Sequence, residues 1–455
     1  MTLSPSTQVP AESRMPAGSH APTEVQVPAE PEAPATPSTP APADSVPGAT
    51  TGSDTAHPGA PRELNRHVAG ATGSAIRNIF KLAAGPDVIS FAGGTPANEL
   101  FDTVGIAQSY AHVIDTIGGR ALNYGSVEGE PEMKEAAAKR LSESSCATSP
   151  DQLLITSGSQ QGLGLCGQTL INPGDVVLAE NPTFMSALGA FKLQGAVCRG
   201  VESDEFGILP EDLEAKILEH SPKALYTIPT FQNPTGSTMP AERRTAIADV
   251  IARHSIWLIE DDPYSELRYE GEPVPAISTD PRIQDKSLLL GTLSKVLAPG
   301  LRIGWIRGPE WILERLATAK QATSLQTSTI DQMAAAHYIE HNSIPEKLLA
   351  VKDAYRQRRD TMLEVLPTVL PEGTSITRPD GGMFLWAKLP DGFDATALVE
   401  EIGPRGTVYV PGSTFFVENP DPATIRFSFV SNAPARIEEG LLRMKPVFDA
   451  AAAAL

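Results

Sequence analysis

The feature that most constrains the fold is a regular alternation of short apolar runs and helical stretches between residues 153 and 306. Helical stretches such as 241–253 and 309–319 separate most of the runs. The seven runs predicted to be strands are 153–156, 176–180, 196–201, 224–228, 256–260, 287–290 and 303–306. This pattern predicts an α/β domain built on a mostly parallel, doubly wound, seven-stranded sheet. Ligands of such sheets bind beyond the carboxyl ends of the strands, so the residues that follow each run are the candidates for a site.

The regions on either side of this alternation differ from it and from each other. Residues 1–61 hold 13 of the 41 prolines, no Phe, Trp or Tyr, and a single basic residue, Arg14. Such a segment cannot bury enough apolar surface to offset the entropy lost on ordering, so we expect a disordered Pro/Ala-rich tail. We predict four segments: the tail over 1–61, an N-terminal arm over 62–98, a large domain over 99–325 and a smaller α+β domain over 326–455.

Weaker patterns predict the remaining elements. The arm contains a helical spacing over 74–82 and a short strand from Val88, and helices are expected over 102–117 and 131–145. In the C-terminal region we predict helices over 328–341 and 345–366 and strands over 381–389, 407–411 and 424–430. A last helix is expected from about Ala435, with Pro446 bending or breaking it.

Composition limits the compartment and the partners. The net charge of −19 disfavours nucleic acid and anionic membranes. Cys146, Cys166 and Cys198 are widely spaced, with no CxxC and no Cys/His cluster, so neither a disulfide framework nor a metal site is indicated. No run approaches the roughly 20 apolar residues of a membrane span, and the first residues lack the apolar core of a secretory signal. We therefore expect a cytoplasmic protein without a membrane or nucleic-acid partner.

A lysine follows the sixth predicted strand, in the stretch Gly291-Thr-Leu-Ser-Lys-Val-Leu-Ala-Pro-Gly-Leu-Arg302. Lysine amines become nucleophilic when burial or a neighbouring cation lowers their pKa, and they then form Schiff bases with carbonyl groups. The hydroxyls of Thr292 and Ser294 and the guanidinium of Arg302 suit a phosphate group. From this stretch alone, a catalytic Lys295 and an ordinary surface lysine are equally acceptable interpretations.

Another strand end carries acidic residues, in Ile259-Glu-Asp-Asp-Pro-Tyr264. A carboxylate such as Asp261 at a buried strand end can keep a pyridine nitrogen protonated, because a close opposite charge favours the charged form. Tyr264, three residues further on, can reach a phenolic oxygen of the same ring. We interpret Glu260 and Asp262 as members of a solvated acidic loop.

Three further strand ends carry polar or aromatic residues. The turn Gly158-Ser-Gln-Gln161 opens a helix, whose first N–H groups, with the Ser159 hydroxyl, can hold a phosphate; alone it is more simply a helix cap. Phe184 can stack on a flat ring, although by itself a core position is the simpler reading. Asn233, in an Asn-Pro-Thr-Gly turn, can donate to a phenolate oxygen.

The glycines of 162–167 match the G-x-G-x-x-G fingerprint of dinucleotide-binding proteins, and Glu180 ends the next predicted strand. The first of these glycines lies six residues past Thr156, inside a helical run, whereas the fingerprint requires the turn directly after the strand. We interpret the match as chance, and it defines the alternative of a nicotinamide-dependent enzyme.

Taken together, the strand ends supply the parts that a pyridoxal phosphate site needs, and the chain resembles the fold-type I, class I/II aminotransferases over about residues 70–445. The resemblance is strongest to the 2-aminoadipate/kynurenine aminotransferase branch, which shares its catalytic domain with regulators of the MocR type. The motifs that carry it are Phe91-Ala-Gly-Gly-Thr-Pro96, Gly158-Ser-Gln-Gln161, Asn233-Pro-Thr-Gly236, Asp261-Asp-Pro-Tyr264, Ser294-Lys295, Gly300-Leu-Arg-Ile-Gly304 and Arg378-Pro-Asp-Gly-Gly-Met-Phe384.

The resemblance implies a cofactor, an activity and an assembly. The cofactor would be pyridoxal 5′-phosphate, and an amino group would pass from an amino acid to a 2-oxo acid of the 2-oxoglutarate type by a ping-pong mechanism. The protein would be a homodimer with shared active sites. Lys295 would hold the cofactor as a Schiff base and move the proton at the substrate Cα, Asp261 would pair with the ring nitrogen, and Tyr264 and Asn233 would hold the ring O3′.

The resemblance also assigns the phosphate and the substrate. The phosphate would contact Ser159, Gln160, Thr292, Ser294, Arg302 and, from the other subunit, Tyr124. Arg426 would bind the substrate α-carboxylate, whereas its alternative is a structural salt bridge. Gly94 and Asn233 would line the substrate site, and Arg77 would face an acidic substrate side chain.

One position departs from the family pattern, because Phe184 stands where a tyrosine is usual. Ring stacking is kept and the phenol is lost, which leaves open a change of rate, of substrate or of reaction type. The alternatives are therefore a pyridoxal-phosphate-dependent lyase or oxidase, and a ligand-binding module of a MocR-type regulator. The last needs a basic winged-helix domain, which the acidic, proline-rich 1–61 is not.

Overall fold

The computed structural model describes His67, Gly85 and residues 87–455 of the chain. The predicted tail over 1–61, the predicted helix over 74–82 and Arg77 lie outside the described residues. The predicted boundaries between arm, large domain and small domain stay predictions.

The strands and helices of this part of the chain are numbered here in chain order. The strands are β1 (Ile89–Ser90), β2 (Leu153–Thr156), β3 (Val176–Glu180), β4 (Val197–Val201), β5 (Ser203–Asp204), β6 (Gly207–Ile208), β7 (Ala224–Thr227), β8 (Trp257–Asp261), β9 (Ser287–Thr292), β10 (Gly304–Arg307), β11 (Ser375–Ile376), β12 (Phe384–Lys388), β13 (Thr407–Val408), β14 (Val410–Pro411) and β15 (Thr424–Ser428). The α-helices are α1 (Thr103–Ala121), α2 (Pro131–Ser144), α3 (Ser159–Leu170), α4 (Met185–Lys192), α5 (Pro210–His220), α6 (Ala241–His254), α7 (Glu310–Ser324), α8 (Thr329–His341), α9 (Ile344–Val369), α10 (Ala395–Ile402) and α11 (Pro434–Ala454).

The large sheet has seven strands in the order β2-β10-β9-β8-β7-β3-β4. Six of them are parallel, and β10 runs antiparallel to both of its neighbours, β2 and β9. Strands β2, β7 and β9 are buried along their whole length, as expected for a sheet that is covered on both faces. All seven predicted strands are confirmed, with end points that differ by no more than two residues.

The antiparallel strand β10 explains why residues far apart in sequence meet at one edge of the sheet. Its first residue, Gly304, is the register partner of both Thr156 at the end of β2 and Thr292 at the end of β9. Because β10 runs the opposite way, the residues just before it lie at the carboxyl ends of its parallel neighbours. Arg302 therefore reaches the same edge as the turns that follow Thr156 and Thr292.

A second, antiparallel sheet has four strands in the order β11-β12-β15-β14. Arg426 lies in the middle of β15 and is the register partner of Trp386 on one side and of Val410 on the other. The predicted strand over 407–411 is in fact two strands, because β13 pairs with β1 and only β14 joins β15. The long helices α9 and α11 pack against each other.

One sequence-based expectation in this region is wrong in part, and one in the large sheet is wrong. Helix α11 continues through Pro446 to Ala454, so the helix is not broken there. Glu260 is not in a solvated loop: β8 extends to Asp261, and the Glu260 side chain is buried, with its oxygens accepting the backbone N–H groups of Ile277 and Ser278 at 3.1 and 2.8 Å. Among the helices that the structure describes, none has the length and apolar character needed to cross a bilayer.

Candidate active site

A buried carboxyl group marks the end of β8. Asp261 is 2% exposed, and its Oδ2 accepts a 3.0 Å hydrogen bond from the hydroxyl of Tyr226 on the neighbouring strand β7. Its other oxygen, Oδ1, is buried and has no hydrogen-bond partner within the described part of the chain. Burial raises the pKa of Asp261 to about 7, and the Tyr226 hydrogen bond opposes this shift. One oxygen therefore holds the Asp261 carboxyl group in place, and the other is available to accept a hydrogen bond.

The candidate nucleophile lies one strand away, three residues after the end of β9. The Lys295 side chain is half-buried, and its Nζ donates a 2.7 Å hydrogen bond to the carbonyl of Gly94. Burial lowers the pKa of Lys295 to about 8, and the positive charges of Arg426 and Arg302 act in the same direction, while Asp261 opposes them. An amine with this pKa has a much larger unprotonated fraction near neutral pH than an ordinary lysine, and the unprotonated amine is the nucleophile.

Asn233 and Tyr264 form the side of the site that faces the small sheet. The Asn233 side chain is hydrogen-bonded to Tyr264, and its Oδ1 accepts a 2.9 Å hydrogen bond from Nη1 of Arg426. The ring of Tyr264 meets that of Phe384 edge to face, with centroids 6.0 Å apart. The site therefore brings together residues from four places: the turns after β7 and β8, and the strands β12 and β15.

Arg426 is a buried cation at this convergence. Its guanidinium lies over the rings of Phe384 and Phe415, 4.4 and 4.7 Å from their centroids, and Nη2 donates to the carbonyl of Ala92 at 2.6 Å. Burial lowers its pKa to about 10. No carboxylate in the described residues forms an ion pair with it, and its Nε has no hydrogen-bond partner there. The alternative of a structural salt bridge is not borne out, and the arrangement suits an external carboxylate.

The phosphate-binding candidates surround the start of α3. Gly158 precedes this helix with a φ of 82°, and a Cβ at this position would lie 2.8 Å from Nη2 of Arg302, which donates to the carbonyl of Ser157 at 2.9 Å. Ser159 is the first residue of α3, so its N–H and hydroxyl groups lie at the positive end of the helix. A helix N-terminus beside an arginine is a favourable place for an anion.

The remaining phosphate candidates differ in exposure, and two of the four are exposed to solvent. Thr292 and Ser294 lie together on the same edge, with their hydroxyl oxygens 2.9 Å apart. Gln160 is exposed at the second residue of α3, where its side chain donates to the carbonyl of Ser186 at 3.3 Å. Tyr124 is 81% exposed, so within one chain its ring does not enter the site.

Phe184 and the glycines of 162–167 also have defined places. Phe184 directly precedes α4 at the carboxyl end of β3 and packs partly buried against the core. The glycines lie inside α3, and a Cβ at Gly162 would lie 3.2 Å from the side chain of Leu290. The expectation that these glycines belong to a helical run is confirmed, and at Gly162 the reason for glycine is close packing of α3 on the sheet.

Sequence reasoning missed Glu180, which appeared only as part of the dinucleotide alternative. This buried carboxyl group accepts hydrogen bonds from the hydroxyl of Thr227 at 2.7 Å and from the N–H of Ile228 at 3.0 Å. It also accepts from the side chain of Gln232, at 3.2 Å. Burial raises its pKa to about 7. Glu180 therefore holds the turn that presents Asn233.

Sequence reasoning also missed Tyr226. The sequence did contain an indication of its role, because the hydroxyl group of a tyrosine in a fully buried strand needs a polar partner. The identity of the partner depends on which strands are neighbours, and the sequence does not fix this order.

These features fit pyridoxal phosphate, the cofactor that the motifs imply. The unpartnered Oδ1 of Asp261 suits a protonated ring nitrogen. The Gly158 turn, where the Arg302 guanidinium leaves no room for a side chain, suits a phosphate. The Lys295 amine suits a Schiff base with the cofactor aldehyde, and the unpartnered Nε of Arg426 suits a substrate carboxylate.

Comparison with known proteins identifies the family. The sequence pattern of the aminotransferases of class I and II matches residues 86–441. The chain belongs to the class I and II aminotransferases. It is 38% identical over 381 residues to aromatic-amino-acid aminotransferase 1 of Thermococcus litoralis, a match that covers 82% of this chain and 91% of the relative. It is 34% identical over 373 residues to the 2-aminoadipate transaminase of Thermus thermophilus, covering 82% and 92% of the two chains.

Solved structures give the same result. The α-aminoadipate aminotransferase of Thermus thermophilus, complexed with N-(5′-phosphopyridoxyl)-L-leucine, matches with a TM-score of 0.80 and 32% identity, covering 86% of this chain and 98% of that one. The predicted fold, pyridoxal-phosphate fold type I, is confirmed, as are the cofactor and the aminotransferase activity. As an aminotransferase, the protein acts on amino acids and 2-oxo acids.

Proposed function

We propose that this aminotransferase uses Lys295 as its catalytic amine, Asp261 as the partner of the cofactor ring nitrogen and Arg426 as the binding group for the substrate α-carboxylate. Bound pyridoxal phosphate supplies an electron sink for the bonds at the substrate Cα. Lys295 would move the proton at the substrate Cα, and its lowered pKa suits this role near neutral pH. The observation that carries the proposal is the buried, unpartnered Oδ1 of Asp261.

The other residues of the site bind and orient. Tyr264 and Asn233 hold the ring oxygen O3′, and Phe184 covers a ring face. Ser159, Gln160, Thr292, Ser294 and Arg302 hold the phosphate. Gly94, whose carbonyl accepts a hydrogen bond from the Lys295 amine, lines the substrate side together with Asn233. For Arg77, which lies outside the described residues, the family resemblance supports binding of an acidic substrate side chain.

The amino donors to test first are aromatic amino acids and 2-aminoadipate, with 2-oxoglutarate as acceptor. The support is the similarity to an aromatic-amino-acid aminotransferase and to a 2-aminoadipate transaminase. We propose a cytoplasmic location, supported by the acidic composition and the absence of a paired-cysteine pattern.

The half-reaction tests this proposal. A donor added alone to cofactor-loaded protein should bleach the visible or near-ultraviolet cofactor band and release one 2-oxo acid per site, and 2-oxoglutarate should then restore the band. Loaded protein that reacts with none of the donors contradicts the proposal. Ammonia released without an acceptor would favour a lyase, and oxygen consumption an oxidase.

Replacing Arg426 by lysine separates substrate binding from cofactor binding. Lysine keeps the charge but loses the planar fork, so we expect the KM for the amino donor to rise by about ten- to a hundredfold. The dissociation constant of the cofactor should change less than KM, because Arg426 reaches the cofactor only through its hydrogen bond to Asn233. Steady-state kinetics and a cofactor titration measure the two effects, and a larger loss in cofactor affinity than in KM would contradict the assignment.

The protein is further proposed to be a homodimer in which Tyr124 of one subunit contacts the phosphate bound by the other. The support is the surface around this residue: Leu122, directly after α1, is 72% exposed, Ile114 and Ile117 in the second half of α1 are 42% and 37% exposed, and Tyr124 itself is 81% exposed. Apolar side chains exposed together on one helix and its following turn are typical of an interface.

A hybrid dimer tests the shared site. Lys295→Ala and Tyr124→Ala chains, co-expressed with different tags and purified as the hybrid, would contain one site with both residues intact. We expect the hybrid to transfer amino groups at limiting cofactor concentration, whereas each parent dimer fails or is strongly impaired. A hybrid no more active than its parents would show that Tyr124 acts within its own subunit or plays no part in the site.

A further inference from the structure

The hydrogen bond between Tyr226 and Asp261 engages only one of the two carboxyl oxygens, and the catalytic roles above do not explain this choice. Tyr226 is 0% exposed and Asp261 2% exposed. Within the described residues, the 3.0 Å hydrogen bond from the Tyr226 hydroxyl is the only one that the Asp261 carboxyl group accepts. The phenol engages Oδ2 and leaves Oδ1 unpartnered. The structure thus distinguishes the two oxygens of one carboxyl group.

The sheet geometry fixes this arrangement. Strands β7 and β8 are parallel, and Tyr226 is the register partner of Ile259, two residues before Asp261. Side chains two residues apart on a strand point to the same face, so Tyr226 and Asp261 lie on one face, with Asp261 nearer the carboxyl edge. Phe191 packs edge to face on the Tyr226 ring, with centroids 5.8 Å apart, which restricts its movement.

We propose that Tyr226 is a positioning residue that sets where the proton shared by Asp261 and the cofactor ring nitrogen lies. The proposal rests on the proposed pairing of Asp261 with that nitrogen. The phenol donates to Oδ2 and stabilises the ionised carboxylate, so the proton stays on the ring nitrogen and the ring keeps its positive charge. Without the phenol, the proton moves from the ring nitrogen to Oδ1, the carboxyl group becomes neutral and the ring loses its charge.

The choice of oxygen matters as much as the charge. A buried carboxylate with one satisfied oxygen has a fixed orientation, and its other oxygen is ready to meet the ring without first losing a partner. Tyr226 is buried behind Asp261, so it acts on the cofactor only through that carboxyl group.

The test compares Tyr226→Phe with Tyr409→Phe. Tyr409 is also 0% exposed and makes one hydroxyl hydrogen bond, to the carbonyl of Ala395 at 2.9 Å in the C-terminal part of the chain. Each substitution removes one buried hydroxyl group, so the two should cost similar stability, which thermal unfolding checks. The variants are loaded with pyridoxal phosphate carrying ¹⁵N in the ring, and the ¹⁵N chemical shift reports whether the ring nitrogen is protonated.

We expect wild type and Tyr409→Phe to give the shift of a protonated nitrogen, and Tyr226→Phe to move toward that of the neutral nitrogen. The half-reaction rate of Tyr226→Phe should fall by on the order of ten- to a hundredfold, the loss of one hydrogen bond to a charged group. If Tyr226→Phe does not fold, a ring-fluorinated tyrosine at 226, a stronger donor, should keep the ring nitrogen protonated to a higher pH than in wild type, which the ¹⁵N shift followed against pH measures.

An unchanged ¹⁵N shift in Tyr226→Phe, or an unchanged midpoint pH of that shift in the fluorinated protein when it is the one measured, would overturn the inference. This failure is distinguishable from failure of the proposed function. A wild-type protein that completes the half-reaction while Tyr226→Phe keeps a protonated ring nitrogen removes only the role of Tyr226. A wild-type protein that shows no half-reaction removes the assignment on which the role depends.

Discussion

Replacing Lys295 by alanine is expected to slow the half-reaction by roughly four to six orders of magnitude, the loss typical of a group that both bonds covalently and moves a proton. The Asp261, Asn233 and Arg426 side chains do not depend on Lys295 for their contacts, so the variant should still bind pyridoxal phosphate noncovalently. Stopped-flow absorbance with an amino donor measures the rate, and a cofactor titration measures the binding.

Lys286 provides the matched control for this prediction. It lies directly before β9, whereas Lys295 follows the same strand, and its exposed side chain donates to the carbonyl of Ser255 at 3.2 Å. Lys286→Ala should leave the half-reaction within about twofold of wild type, because surface substitutions of this kind have small effects. A Lys295→Ala protein that reacts within tenfold of wild type would show that another amine does the work.

Replacing Asp261 by asparagine is expected to reduce the half-reaction rate by on the order of a thousandfold, or about 4 kcal/mol in the activation free energy. Asparagine has the same shape, and its carbonyl oxygen can still accept the Tyr226 hydroxyl. What it lacks is the negative charge that keeps the ring nitrogen protonated. The fold should be retained, and the cofactor should bind more weakly.

Asp262 supplies the control for the loss of charge. Its Oδ1 accepts the N–H of Ser265 at 3.0 Å, a hydrogen bond that asparagine can preserve. Asp262→Asn should therefore lower the rate by no more than a few fold. If the two substitutions had equal effects, the stabilising charge would not belong to Asp261 in particular, and the site would have to be reinterpreted.

The sequence predicted the large sheet well, since parallel strands buried on both faces are apolar throughout and end in recognisable turns. It also placed Asp261, Asn233, Lys295 and the 158–161 turn at one edge, because the carboxyl ends of parallel strands meet there. Arg302 lies at the same edge for a different reason, because β10 runs antiparallel to its neighbours. The residue pattern of the sequence does not indicate this direction.

The side-chain contacts between neighbouring strands could not be predicted from the sequence. Tyr226 meets Asp261, and Glu180 meets the turn after Thr227, only because β7 lies between β8 and β3. Glu260 was misread because the strand continues two residues past its apolar run, so an acidic residue that looks like the start of a loop lies on a covered face. The role of Arg426 came from the family resemblance, since it belongs to a separate sheet.

The central claim is that Lys295 is the residue to which the cofactor is covalently attached. Reduction of the loaded protein with borohydride, followed by proteolysis and mass spectrometry, tests it most directly, because reduction makes the bond between amine and cofactor permanent. We expect a phosphopyridoxyl group on the peptide that contains Lys295, and its loss in Lys295→Ala. A label on another lysine, such as the buried Lys320, or a loaded protein that takes up no label, would contradict it.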